Sequence, residues 1–124
     1  MGIVGATRRS WAKDNQTTLV SFIRSYRDAI RWLKEPGNRA QAQALLMKNV
    51  PGMTEQIAAQ SCELLLDPQS GFFSDVQLDE KGVQAVMDLR SKLGKGGRKL
   101  DDPTRYIDRS YWQLAMQIMG GRAL

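Results

Sequence analysis

Histidine is missing from all 124 residues, which removes the commonest general base and metal-binding side chain at once. Cysteine occurs once, as Cys62. One thiol cannot close an intramolecular disulfide, and without histidine no Cys/His zinc site can be built. Its setting on an apolar helix face makes Cys62 a small buried hydrophobe rather than a reactive group. Aromatic residues are few, three each of Phe, Trp and Tyr, so the core has to be assembled from Leu, Ile, Val, Met and Ala. No apolar run approaches the roughly 20 residues of a membrane span. The opening MGIVGATRRSW does not read as a secretory signal, because its short apolar patch precedes the arginines instead of following them. Ala6 also stands where the myristoylation pattern requires Ser or Thr. Expressed as written, the chain would stay in the cytoplasm.

What is present is ordinary for a globular protein: 42% apolar and 25% charged residues. The length predicts a single helical domain over residues 1–124 with a modest core. The net charge of +5 is unevenly placed. Residues 1–34 hold seven basic groups (Arg8, Arg9, Lys13, Arg24, Arg27, Arg31, Lys34) against Asp14 and Asp28, so they carry the whole excess. Such a stretch suits an acidic partner or nucleic acid. No aromatic or Gly-rich nucleic-acid motif accompanies it, so a solvated helix face is the simpler expectation, with Arg24–Asp28 as an i,i+4 pair.

Hydrophobic periodicity predicts an all-α chain of five or six helices. The stretch the rest is organised around is residues 15–46. Leu19, Phe22, Ile23, Tyr26, Ala29, Ile30 and Leu33 recur at steps of three and four, which puts them on one face of a long helix. Arg24, Arg27, Asp28, Arg31 and Lys34 fall on the other side. Pro36-Gly37 breaks this helix, and Asn38 with Gln41 has capping-box spacing for an alanine-rich helix over residues 39–49. A short helix over residues 9–15 precedes the long one, with Trp11 as its anchor. Residues 2–7, GIVGAT, suit one N-terminal strand, which would need a partner strand to pair with. After Val50-Pro51-Gly52, Thr54 caps a helix bearing Ile57, Ala58, Ser61, Cys62, Leu64 and Leu65, and Asp67-Pro68 ends it. Phe72 and Phe73 pin the loop that follows. Asp79 caps a helix that buries Val83, Val86, Met87, Leu89 and Leu93 and ends on Gly94 in a left-handed cap. Asp102-Pro103 opens a further helical turn, and Asp108 caps a last helix that Gly120-Gly121 terminates.

Few of these residues can do chemistry. A nucleophilic triad needs a base that is absent, and there is no GxSxG elbow. The acidic pairs Asp79-Glu80 and Asp101-Asp102 precede helices, where caps are expected. GKGGRK (residues 94–99) lacks the GxxxxGK-Ser/Thr order of a phosphate loop. The expectation is a non-enzymatic protein with no metal and no cofactor.

Several segments in series nevertheless carry a resemblance: RRSWAKDN (8–15), LVSFIRSYRDAIRWL (19–33), PGNRAQAQALL (36–46), the run from MTEQIA to LLLDPQSG (53–71), LDEKGVQAVMDLRSKLG (78–94) and LDDPTRYIDRSYWQLA (100–115). The order resembles the C-terminal portion of the substrate-binding proteins of ABC importers, in the branch handling nitrate, sulfonates, taurine and thiamine-pyrimidine precursors. Its members often show F-x-R-A/S-Y-x-x-A-x-x-W-L, matched from Phe22 to Leu33. A Pro-x-Asn-Arg turn follows, matched at Pro36–Arg39, and then a Tyr-Ile/Val-Asp segment, matched at Tyr106, Ile107 and Asp108.

The resemblance implies the helical C-terminal part of a type II periplasmic binding fold, hence a partial solute-binding lobe in the periplasm. The complete family closes two α/β lobes on a small ligand and docks on a permease. Compared with complete members, this chain is short of the sheets and most of the cleft, so no ligand residue carries over by motif. Arg8, Arg9 and Trp11 lie nearest the expected crossover and are the candidates for facing a ligand or partner. Helices that normally cover a sheet would leave an apolar face exposed, which predicts self-association as a symmetric dimer. The competing expectation is a stand-alone helical interaction module that uses its basic first third.

Overall fold

A computed structural model of the chain describes residues 4–73, 75–94 and 99–117. It contains six α-helices: α1 (Arg9–Asp14), α2 (Gln16–Lys34), α3 (Arg39–Asn49), α4 (Glu55–Leu65), α5 (Glu80–Leu93) and α6 (Ser110–Gln117). Two single turns of 3-10 helix, Pro36–Asn38 and Pro103–Arg105, introduce α3 and precede α6. The all-α expectation therefore holds. The N-terminal strand does not: residues 4–7 carry none, and no strand forms among the described residues. An isolated strand has no edge to pair with, so its backbone gains nothing from that conformation. The expected terminator Gly120-Gly121 and residues 95–98 of the basic loop lie outside the described residues.

The chain divides into two compact units, Ile23–Val76 and the pair of segments Met1–Phe22 and Gln77–Leu124. In the first of these, α3 packs on α4. Ala42, Ala58 and Cys62 are buried, and such small side chains let two helices approach closely. Thr54 caps α4 as expected, its Oγ1 accepting from the Ile57 N–H at 3.2 Å. Gly52 takes φ +78° in the connecting turn, a conformation glycine adopts without penalty.

Asn38 does not cap α3. Its backbone is already helical and its side chain makes no cap bond. Instead its Nδ2 donates to the Trp32 carbonyl at 2.9 Å, a second donor beside the longer Glu35 N–H bond at 3.3 Å to the same acceptor at the end of α2.

The long helix α2 keeps the expected period but buries a neighbouring stripe. Val20, Arg27 and Ile30 are inside, while Phe22 is 62% and Tyr26 47% exposed. The face is turned by about one residue, or roughly 100°. Arg27, assigned to the solvent side, is only 2% exposed. Its three-carbon stem packs like an aliphatic side chain, and its guanidinium donates to Asp28 Oδ1 from Nε at 3.1 Å and from Nη2 at 2.8 Å. The carboxylate expected to pair with Arg24 is thus taken by the adjacent arginine.

In the other unit the buried side chains are Ala12, Val20, Met87 and Ala115. Hydrogen bonds and an ion pair hold its segments together. Arg9 Nη2 donates to the Arg105 carbonyl at 2.7 Å. Arg109 pairs with Glu80 at 2.6 Å. The Leu100 N–H donates to Ser91 Oγ at 2.9 Å, and that hydroxyl donates to the Met87 carbonyl at 2.8 Å. Asp102 and Asp108 each brace the turn that follows, accepting from Thr104 and Ser110.

Of the five apolar residues expected to be buried on α5, only Met87 is. Val86, Leu89 and Leu93 are exposed, Leu93 at 76%. Asp79 occupies the N-cap position without a side-chain bond, and Gly94 lies at φ −72°, so no left-handed cap forms. Glycine is required there for a different reason: a Cβ would strike the Arg90 carbonyl oxygen.

Candidate functional site

In the unit Ile23–Val76 lies a groove of about 190 Å³. Leu33 of α2 forms one edge. Ala42, Leu45, Leu46 and Asn49 come from α3, with Val50 just beyond it, and Cys62 and Leu65 come from α4. Leu66 and Phe72 complete the lining. The groove follows from residue size: where Ala42 and Cys62 face the packed α3–α4 pair, small side chains leave room that the larger leucines only border. Asn49 is the one polar side chain on its wall, and its Nδ2 donates to the Leu45 carbonyl at 2.8 Å within its own helix.

A tight turn places Phe72. Asp67 Oδ1 accepts from the Gln69 N–H at 2.9 Å, the Ser70 N–H at 2.7 Å and the Ser70 hydroxyl at 2.8 Å. The Gly71 N–H then donates to the Asp67 carbonyl and the Phe72 N–H to the Leu65 carbonyl. A Cβ on Gly71 would lie 2.5 Å from the Leu65 oxygen and 2.6 Å from the Asp67 oxygen, so only glycine lets the chain pass. The Ser70 N–H, the Ser70 hydroxyl and the Gln69 N–H, in that order, hold the Asp67 carboxyl below its ordinary range.

The sequence candidates Arg8, Arg9 and Trp11 lie in the other unit and do not line this groove. Arg8 is the exposed N-cap residue of α1. Arg9 is engaged with the Arg105 carbonyl, and its charge helps, as a minor contribution, to hold Asp108 in the carboxylate form; the Ser110 hydroxyl and N–H do most of that. Trp11, expected to be the anchor of α1, is 44% exposed, and Ala12 takes the buried position. The nearby hollow lined by Asp102, Arg105 and Tyr106 measures about 20 Å³, room for little more than a water. Arg9 and Arg105 were brought together without any signal in local spacing. The groove was likewise missed, because the small residues on its lining, Ala42 and Cys62, are ones that periodicity counts as core.

Cys62 is buried, as expected. Among the described residues no three His, Cys, Asp or Glu side chains cluster as metal ligands would, and no helix is long and apolar enough to cross a membrane. Compared with family models, curated proteins and solved structures, the chain matches none.

Proposed function

We propose that this chain is a non-enzymatic helical part of a solute-binding component of an ABC importer for small anionic or nitrogen- and sulfur-containing solutes. Its work in that assembly is structural: its helices cover a sheet of the cleft lobe, and the lobes close on the solute before docking on the permease. One observation supports this above the others. α5 turns Val86, Leu89 and Leu93 outward, at a spacing that forms one stripe. α4 does the same with Ile57, 46% exposed, and Leu64. Contiguous exposed apolar stripes mark surfaces that another element covers.

In the periplasmic setting the cover is a sheet lobe. For the chain by itself it is a second copy, giving a dimer. The alternative of a basic interaction module for acidic partners or nucleic acid has less to work with, because Arg27 is buried and Arg9 is spent on a backbone carbonyl.

The test is co-expression with a taurine-binding protein cut after its last crossover strand. Co-purification, with recovery of taurine binding in the joint sample, is the expected result. A chain that stays apart, and that light scattering shows to be a compact monomer at high concentration, would overturn the proposal.

A further inference from the structure

We draw no further inference here: the strongest candidate, the outward apolar stripe of α5 at Val86, Leu89 and Leu93 with Arg90 and Lys92 exposed on the same helix, belongs to the surface on which the proposed function already rests, and nothing in the structure shows what else would cover it.

Discussion

The two units are built by opposite strategies. Ile23–Val76 is one unbroken stretch of chain whose order comes from short-range devices: the Thr54 cap, the Gly52 turn and the Asp67 turn, each closing within a few residues. The other unit joins two segments separated by more than fifty residues, and its ties run between distant stretches, from Arg9 to the Arg105 carbonyl and from Arg109 to Glu80. Loop closure costs entropy before distant contacts give any return. The contiguous unit should therefore order first and more firmly, and it is the one with a formed groove. The segmented unit leaves most of its α5 apolar stripe outside.

The sharpest way to break this comparison is at Ala58, which has no exposed surface against α3. Ala58→Leu forces extra methylenes into a closed contact and should cost about 1–3 kcal/mol, read by urea denaturation. Hydrogen exchange should show the largest loss of protection in α3 and α4. Unchanged protection there would mean that these two helices do not depend on close approach through small residues.

The same contrast explains what the sequence could reveal. Helix boundaries came through because they are local. α3 and α4 begin and end where proline, glycine and Thr54 say they should, and Asp102 and Asp108 brace turns by bonds spanning two residues. Burial did not come through, because it depends on partners far along the chain. The α2 stripe moved by one residue once Arg27 brought Asp28 as its own counter-ion, and α5 lost its inner face apart from Met87. Neither Arg9 nor the groove has a signature in spacing. The first depends on a carbonyl in a 3-10 turn, the second on the small size of Ala42 and Cys62.

A second, smaller effect is expected at the buried arginine. Asp28→Ala removes the carboxylate that accepts from Arg27 and should destabilise by about 1–2 kcal/mol, since hydrogen bonds to charged groups exceed neutral ones. Arg27→Met, of similar length and without charge, should be close to neutral, because it keeps the packed stem and takes a charge out of the interior, while the Asp28 carboxylate, 62% exposed, stays in water. If Arg27→Met proves far more damaging than Asp28→Ala, the guanidinium matters for more than this pair.

Caps provide the next comparison. Thr54→Ala should cost about 1 kcal/mol, the usual worth of an N-cap bond. Asp79→Ala, at the matching position of α5, should fall within about 0.5 kcal/mol of the parent, because the Asp79 side chain makes no cap bond. Thermal melts of the two variants side by side decide it, and equal losses would show that Asp79 caps α5 in solution.

The smallest effect is expected from acid. Asp67, Asp102 and Asp108 all have carboxyls held below their ordinary value of 3.8 by N–H and hydroxyl donors. A carboxylate whose folded pKa is depressed adds stability that is fully present above its unfolded pKa and is lost as pH falls through the folded one. The window therefore opens near pH 4 and extends downward, and none of the three groups is buried, which keeps each contribution small. Replacing Asp67 by Asn removes one of the three charges and should flatten the acid limb of the melting curve in proportion, leaving neutral pH behaviour to report only the altered turn. An unchanged acid limb in that variant would mean that the Ser70 and Gln69 donors do not distinguish the ionised carboxylate from its protonated form.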